Sequence, residues 1–350
     1  MISIISFLIV IGICVISHEG GHFWAARLRD VMIHEFSFGM GPLLWGRKKG
    51  ETQYSLRAFP IGGFVKLEGE DAAGGEEDEP KPEGYTPERS LANKKAWERM
   101  FIIGAGASVN IALAWLLTAA YLAGYGVYNM EIPKIGAIMD DTPAYSSGLK
   151  AGDLIKSIDG KQLKDWGDIR SNIQNPAKSG DLYEITAQRG DETKTFSIKI
   201  PVNKESGGRL LGVQPSHEKY PLMQALGKSF NYSWKMSTEI LRGLWLAATG
   251  QIKADVTGPV GIATMAGDAF KEGFWTFIAF LGVINLNLGL LNLLPFPALD
   301  GGRIIFILIE MATGRKVPEK IETMIHYAGF IILLALIFLV TGKDIYRLIQ

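Results

Sequence analysis

The chain has 350 residues, with 36 Lys and Arg against 36 Asp and Glu, so its formal charge is zero. That balance argues against a basic nucleic-acid groove, and no nucleic-acid partner is expected. The single cysteine excludes an intrachain disulfide and a multi-cysteine zinc site. Hydrophobic residues, 47% of the chain, are gathered into blocks. The first block is MISIISFLIVIGICVIS (1–17), which resumes after a short polar cluster as FWAA. No Lys or Arg precedes it and no small-residue cleavage site follows, so it reads as a span rather than a removed leader. Further blocks occupy 101–128, 274–299 and 327–342. Each reaches about 20 apolar residues alone or with its flanks, enough for a hydrocarbon core. The expectation is a polytopic α-helical membrane protein with four transmembrane helices in a lipid bilayer.

Cations in short loops set orientation. Arg27, Arg29, Arg47, Lys48, Lys49, Lys94, Lys95 and Arg99 lie between the first two spans, and Arg303, Arg315, Lys316 and Lys320 between the last two. Both segments are therefore expected to be cytoplasmic, with the region between the second and third spans extracytoplasmic. Lys343 and Arg347 run weakly against the rule. The predicted units are 1–129, with the first two spans; 130–203, a compact domain; 204–273, an extracytoplasmic connector; and 274–350, with the last two spans.

Within the first unit, residues 50–67 alternate apolar and polar around Pro60-Ile61-Gly62-Gly63, which predicts a β-hairpin on the cytoplasmic side. Residues 68–89, acidic and rich in Gly and Pro, predict a solvated linker. Residues 132–202 alternate short strands, turns and helices. Their series PAxxxGLKxGDxIxxIDG resembles a PDZ domain of bacterial membrane proteases, an α+β unit that binds extended peptides by strand addition. The resemblance places a groove beside Ile135, Gly136 and Ala137; a plain strand-fitting glycine at Gly136 is the competing reading. Residues 220–250 form an amphipathic helical stretch with Trp234 and Trp245, expected on the outer membrane surface.

The polar cluster ending the first span is HEGGH, the pattern H-E-x-x-H. On a helix His18 and His22 share a face and can ligate one zinc ion, while Glu19 is turned about 100° away and can serve as a base. Ionisable groups at that depth are rare and usually functional. Cys14, one turn earlier, is expected to pack as a small apolar residue. His34, His217 and His326 fall in no ligand pattern and are expected in ordinary surface or interface roles. A catalytic zinc needs a third protein ligand and an open position. Asp300 ends the third block in NLNLGLLNLLPFPALDGGR. Alternating span directions bring the inner ends of the first and third spans to one depth, where Asp300 can meet His18 and His22. Pro295 and Pro297 predict a broken helix there, tolerated only inside protein or beside water.

H-E-x-x-H in the first span, N-x-x-P-x-P-x-x-D-G at the third and the PDZ-like unit between spans two and three resemble the site-2 protease family of intramembrane zinc metalloproteases, in its bacterial RseP/RasP type with a single PDZ unit. EFSFGMGPLLW, PIGGFVKL and GPVGIA extend the likeness along the chain. The resemblance implies that Zn2+ is held by His18, His22 and Asp300, with Glu19 as base. It implies that Asn292, and also Asn287, position the substrate backbone or the developing oxyanion. It further implies that the strand at Gly62, Gly63 and Phe64 folds into the membrane and pairs with the unwound substrate. The implied activity is regulated intramembrane proteolysis of single-span membrane proteins, anti-sigma factors or signal-peptide remnants, in the bacterial plasma membrane. Gly20 stands where the family has a bulky residue, and Ala107 where proline is common. A non-catalytic PDZ-bearing scaffold with a structural zinc site is the alternative; it requires a fourth ligand that the sequence does not offer. A zinc transporter would spread polar ligands across the membrane, whereas here they cluster at one side.

Overall fold

The computed structural model describes residues 2–70, 84–174, 180–202, 208–252 and 257–349. Helix α1 (Ile2–Leu28) is followed by two long strands, β1 (Ile33–Lys49) and β2 (Thr52–Leu67), and then by helix α2 (Ala96–Gly124). Four described helices are long and apolar enough to cross a membrane: α1, α2, Phe274–Leu293 and the stretch Lys320–Arg347 of the last helix. In the last of these only 6% of the apolar window is buried inside the protein, an exposed apolar surface of the kind that lipid covers. The chain is thus a membrane protein, in agreement with its hydropathy.

The strand region differs from expectation. The tight turn falls at Gly50-Glu51, between β1 and β2, and residues 33–49, which had no predicted structure, supply the first strand. The Pro60–Gly63 stretch lies inside β2 as a bend, between Phe59 paired with Met40 and Gly63 paired with Phe38. Glu35–Phe38 consequently has partners on both sides, Gly63–Lys66 on one and Gln53–Leu56 on the other. Ala25, Ala26, Val31, Ile33, Val65, Leu67 and Ile102 bury against one another and fix this sheet to the end of α1 and to α2. Its far end carries Met40, Leu43, Leu44, Trp45 and Phe59, all exposed.

Most of the predicted acidic linker, 71–83, lies outside the described residues. Its ends are docked rather than solvated. Glu68 pairs with His34 at 2.7 Å, Glu70 pairs with Arg303, and Pro87–Arg89 and Leu91–Asn93 form short 3-10 turns.

Residues 122–222 form a separate compact unit. It runs β3 (Val127–Tyr128), β4 (Ile135–Ile138), α3 (Pro143–Ser147), β5 (Leu154–Ile158), β6 (Lys161–Gln162), α4 (Trp166–Ile173), β7 (Leu182–Arg189), β8 (Glu192–Lys199), β9 (Val213–Pro215) and β10 (His217–Glu218). Strands β6-β5-β7-β8 make one antiparallel sheet over a core of Ile155, Ile158, Ile169, Tyr183, Ile185 and Ile198. Asp165 and Asp168 form a capping box that starts α4. The unit is longer than the predicted 130–203, because β9 pairs with β4 and β10 with β3.

The predicted connector 204–273 ends in two helices, α5 (Leu222–Ala248) and α6 (Pro259–Glu272). The first exposes Phe230, Trp234, Leu241 and Trp245 along one face. The second was not foreseen, and it is no surface connector: Ala266 and Ala269 bury against Val10 and Cys14 of α1 and against Phe277 and Leu281. Those last residues belong to α7 (Phe274–Leu293). The chain then leaves helical geometry until α8 (Asp300–Thr313), and α9 (Glu319–Ile349) completes it.

Candidate active site

Three elements place the polar cluster. Along α1, His18 and His22 stand one turn apart on one face, and their Nε2 atoms lie 3.2 Å apart. Asp300, the first residue of α8, brings Oδ2 to 3.4 Å from His18 Nε2 and 3.5 Å from His22 Nε2. A tetrahedral zinc ion with bonds near 2.0–2.1 Å needs ligand atoms about 3.3 Å apart, so this triangle fits one. Asp300 Oδ2 is buried and has no hydrogen-bond partner, which is costly for a carboxylate unless a cation faces it. The Nδ1 of His22 lies 2.9 Å from the Ile102 carbonyl of α2. Donation there makes Nδ1 the protonated nitrogen and leaves the Nε2 lone pair aimed at the triangle. His18 Nδ1, by contrast, is buried without a partner.

Helix α2 approaches this face without side chains. A Cβ on Gly106 would lie 2.4 Å from His22 Nε2 and 2.9 Å from His18 Cε1. Close by, a Cβ on Gly21 would lie 2.5 Å from the Ala105 carbonyl. Backbone-to-backbone contact of α1 and α2 is what leaves room for two imidazoles between them. Gly20 differs: a Cβ there meets nothing within 4 Å. At about 100° per residue it points away from the ligand face, toward the side that carries exposed Ile16 and Trp24. Of HEGGH's two glycines, one is required by packing and the other is merely accommodated.

Glu19 is outside the triangle. The cluster of side chains able to share a metal ion is His18, His22 and Asp300, with no fourth member among the described residues. Beside Glu19 runs β2: a Cβ on Gly63 would lie 3.3 Å from Glu19 Cγ and 2.9 Å from Val15 Cγ1. Residues Gly63, Phe64 and Val65 have ladder partners on one edge only, among the described residues.

The remaining expected site residues divide. Asn287 and Asn292 are half-buried on α7, and neither has a side-chain hydrogen bond among the described residues. They lie about 140° apart around the helix, so the structure does not bring both to one face. Asn292 shares its face with Asn285, seven residues earlier. Ile135 is buried, with its N–H donating to the Asp153 carbonyl at 2.8 Å and its carbonyl accepting from Gly152 N–H at 2.7 Å. Its backbone is therefore committed, against the expectation that it meets a ligand. Gly136 backs onto Pro215, where a Cβ would lie 2.2 Å from the carbonyl oxygen, and Ala137 pairs with Gln214. Close packing by β9 accounts for this glycine.

Sequence reasoning passed over a second polar group. Ser17 Oγ lies 2.6 Å from Asn110 Oδ1 of α2, 3.3 Å from Asn285 Oδ1 of α7 and 2.9 Å from the Cys14 carbonyl. Both asparagines are fully buried. This cluster ties together the three helices around the triangle, one residue before His18. The available signal was polarity inside apolar spans, at Asn110 in AGASVN and Asn285 in INLNLG.

Two imidazoles and a carboxylate converging among apolar helices, with the Glu19 carboxylate beside them and outside the triangle, define a metal-dependent hydrolase of the membrane. The comparisons agree in kind: the chain belongs to Peptidase family M50, which matches residues 6–336. It is 35% identical to a chain of Clostridium perfringens named putative zinc metalloprotease, over 98% of both chains. It is 29% identical to the regulator of sigma-W protease RasP of Bacillus subtilis, over 99% of both. The solved PDZ domain of an SdrC-like protein from Listeria monocytogenes is 30% identical, covering 25% of this chain and 86% of that one, with a TM-score of 0.20. The protein is therefore an intramembrane zinc metalloprotease of the site-2 type, with Zn2+ as its cofactor.

Proposed function

We propose that this protease cuts single-span membrane proteins within or beside their transmembrane segments, with zinc held by His18, His22 and Asp300. The carrying observation is the triangle of Nε2, Nε2 and Oδ2 atoms at 3.2–3.5 Å, one corner of which is a buried carboxylate oxygen without a partner. When bound, zinc supplies Lewis acidity that makes water a usable nucleophile near neutral pH. Glu19, beside the triangle and outside it, accepts the proton and returns it to the leaving amine. Asn292 is the asparagine to donate to the developing oxyanion, because its amide is uncommitted and it shares the face of Asn285.

A transmembrane helix hides its peptide bonds in its own hydrogen bonds, so it must be unwound before it is cut. The second edge of the strand at Gly63-Phe64, next to Glu19, offers the freed strand replacement partners. The cation-rich segments before α2 and between α7 and α9 support an active site that faces the cytoplasm. The 122–222 unit is then an extracytoplasmic PDZ domain, acting as a size filter or dock for substrates shortened by an earlier cut. Anti-sigma factors and signal-peptide remnants, in a bacterial plasma membrane, fit that description.

Glu19→Gln tests the mechanism in purified chain reconstituted with a single-span substrate. Zinc content should stay at wild-type level while cleavage falls by at least about 100-fold. Cleavage near the wild-type rate would refute the role of Glu19, and loss of zinc would make it a ligand instead.

A further inference from the structure

The third corner of the triangle stands on an unusual piece of backbone. Between α7 and α8 the chain is non-helical, and at membrane depth such backbone must find partners within the protein. Pro295 and Pro297 have no N–H to satisfy. Phe296 donates to the Leu294 carbonyl at 2.7 Å, and Leu299 to the Phe296 carbonyl at 3.2 Å. Ala298 has no such local partner, and it holds φ at 72°, a left-handed conformation that a side chain disfavours. Its N–H donates instead to Nδ1 of His326, on α9, at 2.9 Å. The imidazole is itself held, edge-on to Phe306 of α8 with ring centroids 5.6 Å apart. One turn further along α9, Gly329 lets Pro297 seat against the helix: a Cβ there would be 2.4 Å from Pro297 Cβ.

Among the described residues, helix α9 contributes nothing to the triangle, yet its His326 is the side-chain acceptor that this loop uses. We infer that His326 is a positioning residue for zinc: by accepting from Ala298 it keeps the loop in its left-handed turn and so sets the reach of Asp300, two residues on. With Nδ1 accepting, the neutral ring carries its proton on Nε2, which is buried without a partner. Retaining an orphan donor there is understandable if the Nδ1 contact is what matters. Loss of the acceptor lets Ala298 relax toward right-handed geometry, which turns the peptide leading into Asp300.

The inference rests on Asp300 as a zinc ligand, so Asp300→Asn is the control. Full-length protein in detergent is titrated with zinc against a chromophoric chelator, and thermal unfolding of the zinc-free form is followed in parallel. His326→Phe keeps a flat ring against Phe306 and removes the acceptor; zinc affinity should fall about 10- to 100-fold, the usual effect of losing an outer-shell partner. His326→Asn places Oδ1 where Nδ1 was and should bind zinc nearly as wild type does. Adding Ala298→Gly to His326→Phe should recover affinity, because glycine takes a positive φ without support. Wild-type affinity in His326→Phe overturns the inference, as does an equal loss in His326→Asn. A loss in His326→Phe that Ala298→Gly leaves unrepaired, with a lowered zinc-free unfolding temperature, assigns the residue to packing and overturns it too. Unchanged zinc binding in Asp300→Asn refutes the ligand assignment itself, whatever His326 does.

Discussion

Replacing Gly106 by alanine is a severe test of the zinc site, since the residue does no chemistry. The new Cβ would stand 2.4 Å from His22 Nε2, 2.7 Å from its Cε1 and 2.9 Å from His18 Cε1. Relief to an ordinary contact of about 3.4 Å requires a shift of about 1 Å. Helix α2 can relieve the clash only by moving away from α1, which opens the close approach of Ala105 and Gly106 to Gly21. The displacement therefore falls on the imidazoles or on the α1–α2 spacing. Ligand positions are tolerated within about 0.2 Å, so a shift of that size detaches at least one histidine. Zinc affinity should fall by at least about 100-fold, more than loss of a supporting partner produces, and cleavage should fall at least as far. Gly104→Ala on the same helix is the control, since its Cβ would meet Ile304 Cδ1 at 3.7 Å, an ordinary contact. Chelator competition and cleavage of a single-span substrate are measured on both variants. Equal zinc affinity in the two would refute the reading that backbone approach makes room for the ligands.

The glycines of HEGGH should separate in the same assays. Gly20→Ala should leave zinc affinity and cleavage unchanged, while Gly21→Ala, facing Ala105 at 2.5 Å, should lower both and reduce thermal stability by about 1–3 kcal/mol; a harmless Gly21→Ala would show that the helices part easily. In the 122–222 unit, burial alone would raise the Asp153 carboxyl, but hydrogen bonds from Arg189 at 2.7 and 2.8 Å and from the Lys150 amide hold it below the usual range. A depressed folded-state pKa means that the protonated form is favoured by unfolding. This contribution is complete above the ordinary aspartate value of about 3.9 and is lost as pH falls through the folded value. Amide-exchange protection of β5 and β7 should therefore decline in acid below about pH 4, and Arg189→Met should lower protection at neutral pH and shrink its acid-dependent part; an unchanged pH dependence would exclude the pair as its cause.

The triangle was legible in sequence because its parts are local or topological. His18 and His22 need only helical periodicity, and Asp300 needs only the alternation of spans. What surrounds it was not. Gly106 is one glycine among many in an apolar helix, and its approach to two imidazoles exists only after α1 and α2 pack. Residues 33–49 look like a loop because glycines and an apolar run interrupt the alternation that marks β1. Helix α6 opens with Gly-Pro and is rich in small residues, which reads as a connector until the face it offers to α1 is seen. His326 was set aside for want of a ligand pattern, and its partner proved to be a backbone amide 2.9 Å away, far upstream in the chain. The PDZ-like groove was harder to read: Ile135 spends its backbone on Asp153 and Gly152, and Ala137 pairs with β9, which comes from residues assigned to a connector.

The cluster also has an order in time. Two of its members, His18 and His22, arrive in the first helix, the third at residue 300, and the support of the loop that carries it in α9, the last helix of the chain. During synthesis the early histidines enter the membrane long before their carboxylate partner exists. On the proposed roles of Asp300 and His326, a chain halted before α9 should hold zinc more weakly than one that includes it, so the order of the helices along the chain would also set the order in which the site is assembled.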